Sequence, residues 1–79
     1  MEPSTKTLEF TKALETIASV MRDGAATHPS NDWAQWPPEY HLHRAERHLQ
    51  LLRDGDQREN HLAYTATRLL MVLTLRELG

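Results

Sequence analysis

The feature that most constrains the fold is a short turn between two stretches of helical apolar spacing. Leucine and alanine recur at three- and four-residue intervals before and after Asp54-Gly55, as expected of α-helices that bury one face. Glycine ends a helix readily because it adopts the left-handed conformation without strain. Only a few residues separate the two helices, so they must fold back on each other as an antiparallel hairpin.

Helices account for most of the chain, and no segment has the alternation of a strand. The predicted helices cover about residues 5–23, 38–53 and 57–78. Gly24 is expected to end the first helix, and Asp56 with Glu59 forms a capping box that is expected to start the third. The sequence therefore predicts one all-α, three-helix domain over residues 1–79.

Each predicted helix carries an apolar stripe that is expected to face a common core. The stripe residues are Phe10, Leu14, Ile17 and Met21, then Leu42, Ala45, Leu49 and Leu52, then Leu62, Ala66, Leu69, Val72 and Leu73. A chain of this length buries only about 60–65% of its unfolded surface, and without cysteine it has no disulfide. Met71, Leu75 and Leu78 lie outside the third stripe. We therefore expect a homo-oligomeric helical bundle in which another copy covers them.

Charge and hydropathy exclude two classes of partner. The formal net charge is −2, which argues against general nucleic-acid binding. No apolar run approaches the roughly 20 residues of a membrane span, and no signal-peptide pattern is present. The sequence predicts a cytoplasmic protein with no membrane partner.

Histidine and arginine concentrate in residues 40–70, which hold four of the five histidines. On helical wheels they fall on one flank of each stripe in the second and third helices. The antiparallel hairpin then brings these flanks together as three pairs: His48 with His61, Arg44 with Tyr64 or Thr65, and His41 with Arg68. Arginine and protonated histidine bind phosphate by charge-assisted hydrogen bonds. The row therefore predicts a site for a phosphorylated ligand.

Other interpretations of these residues stay open. Histidine and arginine often border a core with their polar heads in water. Trp33 and Trp36 either pin the loop to the core or stack on a base. His48 and His61, with Asp56 or Glu59, have the ligand chemistry of a divalent transition-metal site.

Several short motifs resemble a known family. They are Gly24-Ala25, Asp32-Trp33, Arg47-His48-Leu49, Gly55-Asp56 and His61-Leu62-Ala63-Tyr64. The segment from about residue 15 to 75 resembles the small helical domains of phages and bacteria described as dATP/dGTP diphosphohydrolase-like. These look like relatives of the MazG-type all-α nucleoside triphosphate pyrophosphohydrolases. The resemblance implies a nucleotide ligand and adds Arg47 to the site.

The departures from that family pattern bear on catalysis. MazG-type enzymes hold magnesium through an ExxE pair and an ExxD pair, and this sequence contains neither. Thr27-His28 replaces a usual Lys-Tyr, and Tyr64 replaces a second histidine. The resemblance therefore favours nucleotide binding over metal-dependent hydrolysis.

The leading functional hypothesis is non-catalytic binding or sequestration of a linear or cyclic nucleotide, without a cofactor. The proposed ligand-binding residues are Trp33, Trp36, His41, Arg44, Arg47, His48, His61, Tyr64 and Arg68. The first alternative is a dATP/dGTP pyrophosphohydrolase using Mg²⁺ or Mn²⁺. Its metal ligands would be His48, Asp54, Asp56, Glu59 and His61. The second alternative is a small helical interaction or inhibitor module that binds only a protein.

Overall fold

The described part of the chain, residues 10–27 and 32–78 of a computed structural model, is helical with no strand. The elements are α1 (Phe10–Thr27), a single 3₁₀ turn (Asp32–Gln35), α2 (Pro38–Arg53) and α3 (His61–Leu78). The predicted all-α class and the three helices are confirmed. None of these helices has both the length and the apolar composition that crossing a bilayer requires.

The turn after α2 creates the hairpin. Asp54 ends the helix, and Gly55 follows in the left-handed region with φ of 85°. The Gly55 amide donates to the Leu52 carbonyl at 3.1 Å, and the Asp56 amide donates to the Leu51 carbonyl at 3.0 Å. This is the Schellman arrangement, which satisfies the last carbonyls of a helix. It reverses the chain so that α2 and α3 pack closely, as predicted.

The first helix ends later than predicted. Gly24 does not stop α1, which continues to Thr27. A glycine inside a helix costs about 1 kcal/mol relative to alanine, and the two alanines that follow have the highest helix propensity and carry the helix onward. The predicted start at residue 5 lies outside the described residues.

The third helix begins four residues later than predicted, and its predicted capping box is wrong. Asn60, directly before the helix, accepts a hydrogen bond from the Ala63 amide at 3.1 Å and so provides the cap. The Asp56 carboxylate binds the side chains of Arg58 and His61 instead of the helix end. Asp56 lies five residues before His61, the first residue of α3, and so is not at the N-cap position.

The faces that meet between α2 and α3 are the polar flanks and not the predicted leucine stripes. The buried residues are His41, Ala45 and His48 in α2, and His61, Ala63, Thr65, Thr67 and Val72 in α3. Ala45 and Ala63 allow close approach, and the Thr65 and Thr67 hydroxyls donate to the carbonyls one turn earlier at 2.8 Å. Small side chains and satisfied polar groups therefore make this interface possible.

The predicted core leucines are consequently exposed in the single chain. Leu42, Leu52, Leu62, Leu69 and Leu73 all present large apolar surface, and Leu49 and Ala66 are half-buried. Met71 and Leu75, expected on the outside, are half-buried, and only Leu78 of that group is exposed. α1 packs mainly against α3 and leaves Phe10 and Leu14 exposed. Ala45 and Val72 of the predicted stripes are buried as expected, but none of the leucines assigned to the core is.

Two glycine substitutions test this description of the helix ends. Gly55→Ala should destabilise the fold by about 1–2 kcal/mol, because the left-handed conformation strains a residue with a Cβ. Gly24→Ala should stabilise it by about 0.5–1 kcal/mol, since the position is inside α1 and a Cβ there meets no atom within 4 Å. Urea unfolding at one protein concentration measures both. Destabilisation by Gly24→Ala would contradict the extended α1.

Candidate functional site

Two pairs of polar side chains lie in the interface between α2 and α3, and both pairs have the predicted register. His48 and His61 face each other with their Nδ1 atoms 2.9 Å apart. Nearer the start of α2, the Arg68 guanidinium donates to His41 Nδ1 at 2.9 Å. These contacts confirm the pairing of His48 with His61 and of His41 with Arg68 that the antiparallel hairpin predicted.

Asp56 holds the outer side of His61. The Nε2–H of His61 donates to Asp56 Oδ2, and Arg58 Nε donates to Oδ1 at 2.5 Å. The hydrogen bonds from His61 and then Arg58 lower the pKa of Asp56 below its usual value. With its Nε2 proton committed to this carboxylate, His61 turns Nδ1 toward His48.

His48 is buried between His61 and Tyr64. The Tyr64 ring stacks on the imidazole, with centroids 5.0 Å apart and planes within 15°. Burial, followed by the nearby His61, lowers the pKa of His48. Burial therefore opposes the positive charge expected of His48. Tyr64 contacts His48 and is not the partner of Arg44 that the register predicted.

His41 connects three elements of the fold. It is completely buried, accepts from Arg68 through Nδ1 and donates from Nε2–H to the Trp33 carbonyl at 2.8 Å. Arginine only donates, so these contacts fix the tautomer. His41 links the 3₁₀ turn to α3. Both of its ring nitrogens are engaged, so neither can bind a ligand.

A cleft of about 530 Å³ opens beside this interface, between α1, the 3₁₀ turn and α3. Aromatic rings form much of its wall: Trp36 stacks on Tyr40 at 4.6 Å, and the Arg68 guanidinium lies 5.7 Å from the Tyr40 ring centre. The lining residues are Val20, Met21, Asp23, Gly24, Ala25, Asp32, Trp33, Trp36, Tyr40, Glu59, Tyr64, Thr67, Arg68 and Met71.

Arg68 is the cationic group of the cleft. It is half-buried, and burial is the main reason that its pKa falls below the usual arginine value. Within residues 10–27 and 32–78, the ion pairs join Asp56 to Arg58 and to His61, and none includes Arg68. A guanidinium with this much burial, and with no carboxylate partner in the described part of the chain, is suited to an anionic ligand.

A comparison with known protein families agrees with the resemblance that the sequence motifs indicated. A family model described as dATP/dGTP diphosphohydrolase, N-terminal, matches residues 2–79. The chain belongs to this family. Comparison with curated proteins gave no match, and comparison with solved structures gave none.

In the structure, the predicted site residues divide into three groups. Trp33, Trp36, Tyr64 and Arg68 line the cleft. His41, His48 and His61 are buried in the helix interface. Arg44 and Arg47 are exposed on α2 and do not line the cleft. The side chains of the predicted row lie along the helix interface, but the histidines are inside the fold. The row reaches the cleft mainly at Arg68 and Tyr64.

Sequence reasoning missed several lining residues, of which Tyr40 is the most informative. Tyr40 stacks on Trp36 and lies beneath Arg68. Trp36 lies before α2, so helical spacing does not relate the two residues, and the available signal was an aromatic residue in the first turn of a helix that follows two tryptophans. Thr67 and Met71 had no comparable signal, since their faces of α3 were assigned away from any site.

The carboxylates predicted for a magnesium site do not assemble. Asp54 accepts from Gln50 at 2.9 Å on the surface, and both oxygens of Asp56 are engaged. These residues do not fit the oxygen-rich set that magnesium requires. A different group does come together: one ligand atom each from His48, Glu59 and His61 lies within 4.8 Å of the others.

Proposed function

We propose that this domain binds a purine nucleotide in the cleft without hydrolysing it. The observation that carries the proposal is Arg68, half-buried and free of an acidic partner among the described residues, beside an aromatic wall. A guanidinium binds phosphate oxygens through two parallel hydrogen bonds. Trp36 and Tyr40 already stack on each other, and Trp33 and Tyr64 offer further ring faces to a base.

The dimensions of the cleft support a small-molecule ligand. Its volume of about 530 Å³ falls within the roughly 300–1,000 Å³ of typical ligand pockets. Most of the lining side chains are apolar or aromatic, with a few polar groups among them. In such a pocket the few polar groups orient the ligand, and the aromatic rings bury the base of the ligand.

Asp23, Asp32 and Glu59 also line the cleft. Carboxylates repel phosphate, so they favour a pose in which the phosphates lie on Arg68 and away from them. Ionised carboxylates only accept hydrogen bonds. Glu59 is exposed and can accept a hydrogen bond from the exocyclic amino group of a base or from a sugar hydroxyl, which supports a nucleotide over free phosphate.

We further propose that the domain works as a homo-oligomer. The buried hydrophobic residues in the described part of one chain are only Ala45, Ala63 and Val72. Leu62, Leu69 and Leu73 meanwhile form an exposed apolar face on α3. A second copy is the occupant that fits, because the chain alone buries too little apolar surface for a stable fold.

Hydrolysis of dATP or dGTP is the second candidate function, and the family description supports it. The positions proposed to hold Mg²⁺ or Mn²⁺ are occupied by other contacts, as shown for Asp54 and Asp56. Binding and sequestration therefore remain the leading proposal. An interaction module that binds only a protein is the remaining alternative.

Ligand binding and turnover can be tested together. Thermal shift and calorimetry with dATP, dGTP, other nucleotides and cyclic nucleotides should identify a purine ligand, which at 100 times its Kd stabilises the fold by about 2.7 kcal/mol. We expect dATP and dGTP to survive long incubation with protein and Mg²⁺ or Mn²⁺. Pyrophosphate or phosphate release that Glu59→Gln abolishes would instead establish the hydrolase. Failure of every nucleotide to bind would favour the interaction module.

A further inference from the structure

A second candidate site lies at the end of the hairpin, beyond the nucleotide cleft. His48 and His61 are both buried, and their Nδ1 atoms point at each other 2.9 Å apart. Glu59 lies in the turn before α3 and is exposed, with a carboxylate oxygen within 4.8 Å of one ring nitrogen of each histidine. Two imidazoles and one carboxylate therefore converge on one small region.

From this convergence we infer that His48, His61 and Glu59 form a binding site for a divalent transition metal of the zinc type. Two histidines and a glutamate are a ligand set that zinc uses with one position left open. Imidazole nitrogen favours zinc, cobalt or nickel over magnesium, which prefers oxygen ligands. This inference does not rest on the proposed nucleotide ligand.

The surroundings of His61 support metal binding. Asp56 accepts the Nε2 proton of His61, which leaves Nδ1 as the atom with a free electron pair. A carboxylate behind a histidine in this way fixes the tautomer and the ring direction of metal-binding histidines. Tyr64 holds the His48 ring by stacking. Both ligand nitrogens are thus positioned before a metal arrives.

The distances require only a small adjustment. Zinc–nitrogen bonds of about 2.0–2.1 Å in a tetrahedral site place the two nitrogens about 3.3 Å apart. The present 2.9 Å therefore has to open by about 0.4 Å. When the metal replaces the hydrogen bond, His48 carries its proton on Nε2 and gives Nδ1 to the metal. Glu59, being exposed, is free to rotate its carboxylate inward.

Glu59 also connects this site to the cleft. It lines both the large cleft and a smaller depression formed with Leu51, Asp56, Arg58 and His61. Three protein ligands leave a fourth position for water or for an oxygen of a bound anion. The metal site and the nucleotide cleft therefore share one residue but are otherwise separate.

Zinc titration of EDTA-treated protein, without nucleotide, tests the inference. We expect one zinc per chain, a higher melting temperature, and visible absorption of a tetrahedral complex when Co²⁺ replaces zinc. Asp56→Asn should weaken affinity by about 10–100-fold, the usual effect of losing a residue that orients a ligand. His48→Ala and Glu59→Gln should weaken it at least as much. His43→Ala removes an exposed histidine of α2 and should leave affinity unchanged.

The variants keep the test decisive. Glu59 is exposed, so Glu59→Gln reports on the site even if His48→Ala fails to fold. Absence of zinc binding, or equal affinity in wild type and Glu59→Gln, would overturn the inference and leave the histidine pair as a structural hydrogen bond. Nucleotide binding measured in EDTA tests the proposed function separately, so either idea can fail without the other.

Discussion

Arg68→Ala is expected to weaken nucleotide binding by about ten- to a hundredfold. Charge-assisted hydrogen bonds contribute about 1.5–3 kcal/mol each, and every 1.4 kcal/mol corresponds to a tenfold change in affinity. Arg68 is the cationic residue that lines the cleft, where it lies against Tyr40. Arg68→Lys keeps the charge but loses the planar two-bond geometry, so its affinity should fall between those of the wild type and the alanine variant.

Matched controls separate a ligand contact from a general loss of charge. Arg76→Ala removes an exposed arginine from the last turn of the same helix and should bind like wild type. Arg44→Ala should weaken binding less than Arg68→Ala, because Arg44 is exposed and acts on the cleft only through its charge. Calorimetric affinities, with circular dichroism to verify folding, measure all four. An Arg68→Ala protein that folds and keeps wild-type affinity would remove the basis of the proposed site.

Arg68 also has a structural role that the experiment must account for. It supplies the proton donor for the buried Nδ1 of His41, and His41 in turn holds the Trp33 carbonyl. Leaving a buried acceptor unsatisfied costs about 1–3 kcal/mol. Some loss of melting temperature in Arg68→Ala is therefore expected, and affinity should be measured well below the melting transition.

The hairpin and its register were predictable because they depend on local chemistry. Asp54-Gly55 determines where the chain reverses, and the antiparallel geometry then pairs residues at equal distance from the turn. That reasoning placed His48 opposite His61 and His41 opposite Arg68, as observed. It could not show that the histidines would be buried, because periodicity gives the spacing of a face and not its exposure.

The assignment of the core failed for a physical reason. In a short chain, helix periodicity identifies the apolar side of α3, but that side can be covered by the same chain or by another copy. Here His61, Thr65 and Thr67 pack inward, since each satisfies its polar atoms within the fold. The leucines need no hydrogen bonds. They stay exposed because the described part of one chain provides no surface that covers them.

Leu69→Glu should dissociate the proposed homo-oligomer. Leu62, Leu69 and Leu73 lie on one face of α3 and are 62%, 47% and 53% exposed in the single chain. Full burial of one leucine contributes about 1.5–3 kcal/mol. Leu69 is already about half buried in the single chain, so association adds about half of this for each copy. In a two-fold interface the substitution acts twice, so about 1.5–3 kcal/mol of association energy is lost. That corresponds to roughly a tenfold to hundredfold weaker assembly, before the cost of burying a carboxylate is added.

Sedimentation velocity distinguishes the possible outcomes. Wild-type protein, on the order of tens of micromolar, should sediment as a species larger than the 9.1 kDa chain. Leu69→Glu should shift it toward the monomer and lower its melting temperature, because assembly stabilises the fold by mass action. Thr74→Glu adds the same charge at an exposed position between these leucines and the end of α3, off their face, and should leave assembly intact. A wild-type monomer at this concentration would mean that the leucine face serves a different partner, and the interaction-module alternative would then become the stronger one.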